Sequence, residues 1–259
     1  MRGMTYPTHR QVSAQITRLE NFLNDWQMIP SSRFPRNRVF LALLSKALTV
    51  GRAICVLVGA GFPAEAFGLS RTLIDIFFSL RYMTNQDTDA RVTTYVDYLA
   101  RVAKEWRSLS EKYYPQKLLE TSASDLEMMK VAEQFPKKHQ WTVHGGGARF
   151  MALEPDTFEV NEQGEPVTGE FDYDALYFWT SHYVHVTMHA LKAHTVEQER
   201  TFRVRANISE EQDLARLALF NTVSYLAKIF IQACRGMREE QPEAILRTLF
   251  RMMSKFKRL

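Results

Sequence analysis

A chain of 259 residues, 46% hydrophobic and 24% charged, has an ordinary globular composition with enough apolar material for a sizeable core. Its net charge of +4 and pI near 9.0 are too mild for a protein that coats nucleic acid, so any basic partner surface has to be sought locally. Cys55 and Cys234 lie far apart without a CxxC partner, which argues against a disulfide framework or a zinc knuckle and reads as two buried thiols.

The amino terminus, MRGMTYPTHR, lacks the apolar stretch of a secretory signal. The longest apolar run, Ala53 to Phe62, is broken by Gly59 and Gly61 and falls short of the roughly 20 residues that span a bilayer. The expectation is a cytoplasmic protein with no membrane span. A first helix is predicted from Thr8 to Trp26, where Val12, Ile16, Leu19, Phe22 and Leu23 recur with helical period. After a break at Pro30 to Pro35, a second helix, Asn37 to Val58, is apolar on most sides and should be central. Gly59, Gly61 and Pro63 turn the chain into a third helix, Ala64 to Met83, that pairs with the second.

The third helix carries an uncommon polar stripe: Gly68, Arg71, Thr72, Asp75 and Ser79. A solvated stripe normally holds long Lys and Glu side chains, whereas short residues around one Arg and one Asp suit close packing against another helix across a shared polar cavity. An intrahelical Arg71–Asp75 salt bridge that merely orients helices is the alternative. A fourth helix is predicted over Asp89 to Tyr114 and a shorter one over Ala123 to Phe135, each ending before a proline.

From Pro136 to Asp172 the pattern changes. Trp141, His144 and Gly145 to Gly147 precede FEVNEQGEPVTGEF, whose alternation around Gly164 predicts an irregular insertion with a small β-like excursion near 141–172. The glycines follow no Walker or GxGxxG frame and read as a flexible turn. Helices resume at Tyr173 to Glu199, Ser209 to Arg235 (with Asn207 or Ser209 as cap) and Pro242 to Lys257. The fold class is therefore all-α, a single-domain bundle of about seven or eight helices over residues 1–259.

Two further features carry chemistry. Ser181, His182, His185 and His189 fall on one side of the Tyr173 to Glu199 segment. His185 could exchange protons near neutral pH with Arg71 holding a phosphate and Asp75 or Ser181 orienting the ring; His182, His185 and His189 could share a metal ion; or the imidazoles could be structural. Ser181 lacks a GxSxG elbow and is not a nucleophile. Residues 243–259 form a basic amphipathic helix with Arg247, Arg251, Lys255 and Arg258 along one stripe, which suits the phosphates of RNA, an acidic protein partner or an anionic membrane surface, and which an ordinary solvated helix face also resembles. Arg200, Arg203 and Arg205 add a second basic cluster.

The segments GRAICVLVGAGFPAEAFGLSRTLIDIFFSLRYM, Trp141 and YFWTSHYVHVT resemble an uncharacterised bacterial family of helical proteins, a domain of unknown function, over Asn37 to Leu191. That resemblance implies an all-helical fold with Glu65, Arg71, Asp75, Trp141, Ser181 and His185 at its motif positions. Asp75 stands where many members have Glu. Such proteins are loosely similar to helical ribonuclease and nucleotide-binding domains of prokaryotic toxins and phage-defence systems, although the motif of those ribonucleases, an Arg followed about four to six residues later by a His on one helix, is absent here. Two functions follow as expectations: a defence or toxin-type effector acting on RNA or a nucleotide through Arg71, Asp75, Ser181 and His185, or a non-catalytic interaction module in which those residues fix helix packing.

Overall fold

The computed structural model describes residues 6–25, 35–114, 123–135, 141–142, 147–156, 164–166, 168–185, 195–198, 201–204, 212–237 and 243–256. In chain order they form α1 (His9–Asp25), α2 (Pro35–Gly59), α3 (Pro63–Asn85), α4 (Thr88–Tyr113), α5 (Ala123–Ala132) and α6 (Ala148–Leu153). A π-helical turn, Asp172–Tyr177, then leads into α7 (Phe178–Val184), followed by the strands β1 (Thr195–Gln198) and β2 (Thr201–Val204) and by α8 (Gln212–Met237) and α9 (Glu243–Phe256). The protein is an all-α helical bundle with a small antiparallel hairpin, Thr195 opposite Val204 and Gln198 opposite Thr201.

The most apolar segments take the centre. α3 lies against α8, and α2 packs on both, so Phe40, Leu44 and Ile54 meet Leu73, Ile74, Phe78, Leu80, Tyr225 and Phe230 in one core. Each such side chain contributes roughly 1.5–3 kcal/mol of burial. α1 covers α2 with Val12, Ile16 and Leu19, its predicted apolar stripe, and α9 closes α8 with Leu246, Leu249 and Met252. Both α2 and α8 are long and apolar enough to cross a membrane, a property that the run from Ala53 to Phe62 alone did not reveal. Here they are the inner helices of the bundle. Cys55 and Cys234 are buried and outside any disulfide, and burial pushes the Cys55 thiol up to about 12.

Connections follow local chemistry. α2 ends at Gly59, and Gly61 takes φ +86°, a left-handed value that suits glycine, before Pro63 opens α3. Polar pairs cross the core where α3 and α8 touch: the Thr84 hydroxyl donates to Gln232 Oε1 (2.8 Å), and Asn221 Nδ2 donates to Ser70 Oγ (3.1 Å).

Two boundaries differ from the sequence expectation. The helix expected over Tyr173 to Glu199 opens as a π-helical turn and stops at Val184, with His185 extended at φ −93°, ψ 139°. The hairpin 195–204 occupies part of that range, because TVEQERTFRV alternates and is rich in β-branched residues. Of the β-like excursion expected near 141–172, the described residues hold α6, a bend at Gly164 with φ +80° and a single β-bridge position at Pro166, while 157–163 and 167 lie outside the described residues. His144 to Gly146, Asn207, Ser209, Arg200 and Arg205 lie outside the described residues.

The tightest approach is at Gly236, where a Cβ would stand 2.4 and 2.5 Å from Phe40 ring carbons. Phe40 is fully buried. Gly236→Ala should therefore destabilise the fold by about 1–3 kcal/mol through overpacking, read as a lowered urea midpoint at unchanged m-value. An unchanged midpoint would mean that α2 and α8 stand farther apart than this.

Candidate functional site

The site is built on Arg71, two turns into α3. Leu73, Ile74 and Phe77 of that helix are committed to the core, while the partly buried Arg71 and Asp75 share the side that α7 and the π-helical turn approach. Gly68 lets α7 come close: a Cβ there would lie 3.2 Å from the Tyr183 carbonyl carbon and Cβ, and the Tyr183 ring meets Phe67 edge-on at 5.2 Å. This approach brings the end of α7 over Arg71.

The guanidinium is the hub. Arg71 Nη2 donates to the Tyr177 hydroxyl (2.8 Å) and sits over its ring at 4.7 Å; Nη1 lies 3.2 Å from His185 Nε2, and Nε 3.8 Å from the Asp75 carboxylate. For Nη1 to donate, His185 must present the lone pair on Nε2, so the ring proton sits on Nδ1. The recess stays open to water, with 46% of the Asp75 side chain exposed. Partial burial still raises the Asp75 carboxyl from 3.8 to about 6, opposed by the Arg71 charge and a hydrogen bond with Tyr177. Burial, with the Asp75 charge beside it, also raises the Tyr177 phenol.

The π-helical turn makes this geometry. Its wider coil stacks Tyr173 on Tyr177 (5.0 Å, 17°) against Phe78 and aims the Tyr177 hydroxyl at α3. The Thr180 hydroxyl donates to the carbonyls of Leu176 (2.8 Å) and Tyr177 (3.1 Å), and Ser181 Oγ donates to the Tyr177 carbonyl (2.6 Å). Arg71, Asp75 and His185 thus come together as the sequence suggested. The Ser181 hydroxyl instead serves its own helix, as helix-interior serines do. Tyr177 was missed, although Tyr173, Tyr177, Ser181 and His185 recur every fourth residue and signal one shared face.

His182 lies beside the exposed Phe178 and Trp179 (ring centroids 4.5 and 6.2 Å), and His189 falls outside the described residues. Because α7 ends at Val184, no continuous helix carries His182, His185 and His189 on one face. No group of three His, Cys, Asp or Glu among the described residues could hold a metal ion.

A second polar cluster was not anticipated. Arg81, 4% exposed, donates from Nε to Asp156 (3.3 Å), from Nη1 to the Ala152 carbonyl (3.0 Å) and from Nη2 to the Glu154 carbonyl (2.8 Å). Arg91 joins through Glu154 (2.8 Å) and stacks on Tyr82 at 3.9 Å, while Asn85 donates to Glu154 Oε1 (2.9 Å) and the Pro155 carbonyl (2.7 Å). Trp141 packs edge-on between Tyr82 and Tyr95 at this end of α3, about 16 Å along the axis from Arg71. Beside the cluster, Asp172 accepts from Lys228 (2.7 Å) and Tyr225 (2.8 Å) across a cavity of about 90 Å³.

On α9, Arg247, Arg251 and Lys255 stand exposed on the solvent side, with Arg247 paired to Glu243 at 2.6 Å; Arg258 lies outside the described residues.

Residues 37–202 match the model of a family of unknown function, DUF5677, and the chain belongs to that family. No curated protein and no solved structure matches the chain.

A carboxyl raised to about 6 stabilises the fold fully below about 3.8 and loses that contribution as pH climbs through about 6. Asp75→Asn, which cannot ionise, should gain on the wild type between pH 4 and pH 7.5. The gain should be on the order of 1 kcal/mol, since solvent screens a half-exposed carboxylate. A flat or shrinking stability difference over that range would contradict the raised carboxyl. Arg81→Met should lower stability by about 3–5 kcal/mol by removing the guanidinium that faces the buried Asp156 carboxylate, and adding Asp156→Leu should recover part of the loss. Equal instability of single and double variants would place the importance of Arg81 in its carbonyl contacts instead.

Proposed function

We propose that the Arg71 centre acts on a phosphate ester of RNA or a nucleotide, as a cytoplasmic effector of the prokaryotic defence or toxin type. What supports the reading is one guanidinium reached by an imidazole at the end of α7, by a phenol of the π-helical turn and, from its own helix, by a carboxylate that water can also reach. A purely packing arginine would sit in a closed network like that of Arg81.

In this scheme an incoming phosphate takes the donors that Arg71 now gives to His185 and Tyr177, and the guanidinium offsets charge that builds on the phosphorane oxygens. His185 Nε2, released, accepts the proton of the attacking hydroxyl, the 2′-OH in RNA. Asp75, with a carboxyl near 6, keeps a protonated fraction at neutral pH and gives its proton to the departing 5′ oxygen. The products are a 2′,3′-cyclic phosphate and a free 5′-hydroxyl. Tyr177 positions the guanidinium, and Ser181 holds the turn.

A second reading, a non-catalytic interaction module, rests on the exposed Arg247, Arg251 and Lys255 face of α9 and on the partners that Arg71 already has. Its partner would be a protein or a nucleic acid.

Induced expression in a bacterial host, with total RNA examined and the purified protein assayed on a single-stranded RNA, separates the two. The proposal expects cleavage that falls by about 10²–10⁴-fold in Arg71→Ala and His185→Ala while the melting temperature stays nearly unchanged. Wild-type protein that cleaves nothing, with variants that lose several degrees, would reject the enzyme. Glu at positions 247, 251 and 255 should weaken RNA or partner binding in a salt-dependent way under the second reading; a flat salt response would reject it.

A further inference from the structure

The cavity of about 90 Å³ beside α3 and α8 has charged walls that balance one another. Lys228 is paired with Asp172 and Arg81 with Asp156, so a carboxylate already matches each cation. Its floor is apolar, made by Phe77 and Ile231. Gln232 is the unusual member of the wall. The residue is 3% exposed, and its side-chain oxygen accepts from the Thr84 hydroxyl at 2.8 Å, while its amide nitrogen has no hydrogen-bond partner among the described residues. A donor left unmade in so closed a space is costly, and the wall is therefore made to meet an acceptor. The cavity is separate from the Arg71 recess, because Arg81 lies about 15 Å further along α3.

Two more groups complete the wall. Lys228 stands one turn before Gln232 on the same face of α8. Its ammonium, over the Phe77 and Tyr225 rings at 5.1 and 4.9 Å, makes two contacts with Asp172 (3.0 and 2.7 Å) and has a third N–H. Asp172 Oδ1 accepts from Tyr225 and Lys228, whereas Oδ2 accepts from Lys228 alone among the described residues and keeps a lone pair. Donors and an acceptor thus stand side by side above an apolar floor.

We propose that this cavity binds a small primary carboxamide. The ligand oxygen accepts from Gln232 Nε2 and Lys228 Nζ, its NH₂ group donates to Asp172 Oδ2, and its carbon chain lies on Phe77 and Ile231. A charged ligand is selected against, because its charge would enter a partly closed space whose ion pairs already neutralise one another. Water would serve the polar wall and leave the floor unmatched, and a carbon group that displaces poorly held water gains affinity. The volume equals that of about three waters, room for a ligand of acetamide size. So few atoms confine the affinity to about the millimolar range. The entrance lies at Lys228, whose side chain is 34% exposed, and at the exposed Thr168.

Titration of the full chain with acetamide, followed through the Gly169 and Asp172 backbone amides in proton–nitrogen spectra, tests this. The wild type should show saturable shifts at both amides with a millimolar Kd. Acetate, which is charged, and N,N-dimethylacetamide, which has no N–H, should each bind about tenfold more weakly or worse. Gln232→Leu should lose acetamide binding by a similar factor, and so should Gln232→Glu, which keeps the oxygen that Thr84 uses, each with an unchanged helical circular dichroism spectrum. A wild type without saturable shifts at about 200 mM acetamide overturns the proposal and leaves the cavity to water. An equal response to all three probes overturns it, as does undiminished binding in a folded Gln232→Leu.

Discussion

The buried guanidinium of Arg81 is the interaction on which the arrangement of the site depends. Taking a charge out of water is expensive, and the expense is offset only because Asp156 and two backbone carbonyls surround it. Those partners come from the end of α6 and the residues that follow it, so the clamp ties 152–156 to the end of α3. The chain then returns through Gly169, whose N–H donates to the Ala152 carbonyl at 2.7 Å and whose missing Cβ leaves room for Phe78 and Arg81. Three residues later Asp172 is held by Lys228 and Tyr225 of α8. The π-helical turn starts at that anchored point.

From there the geometry is local. A π-helical turn leaves the usual carbonyl partners out of register, and the hydroxyls of Thr180 and Ser181 take up the carbonyls of Leu176 and Tyr177. The widened coil turns Tyr177 toward α3, while Gly68 permits α7 to descend until His185 reaches Arg71. Rigid elements thus hold the guanidinium and the phenol, and the imidazole sits at the end of a short helix where the backbone becomes extended. Such a placement suits a group that must give up one hydrogen bond to accept a proton.

Much of this was legible in the sequence. The periodicity of Val12, Ile16 and Leu19 and the all-round apolarity of the second helix gave the bundle and its centre, because burial dictates both. The short-residue stripe of α3 marked Arg71 and Asp75, and the clustered histidines marked His185. Other features were hidden. A π-helical turn has no signature distinct from an α-helix, so the segment from Tyr173 read as one long helix. Arg81, Glu154 and Asp156 carry no signal in the sequence, since only tertiary structure shows that they meet. The Trp141 motif proved to serve packing at the far end of α3 instead of the Arg71 recess.

The chain's membership of a family of unknown function leaves the Arg71 centre as the strongest chemical statement the molecule makes. Its claim reduces to one event, the exchange of the Arg71 donors from His185 and Tyr177 to a phosphate. Proton–nitrogen correlation spectra of the imidazoles, recorded while a 5′-nucleotide is added, observe it directly. The account predicts that the His185 ring resonances move saturably, that His9 does not respond, and that Arg71→Ala abolishes the movement. A His185 ring that stays still at millimolar nucleotide, in a folded protein, would contradict it.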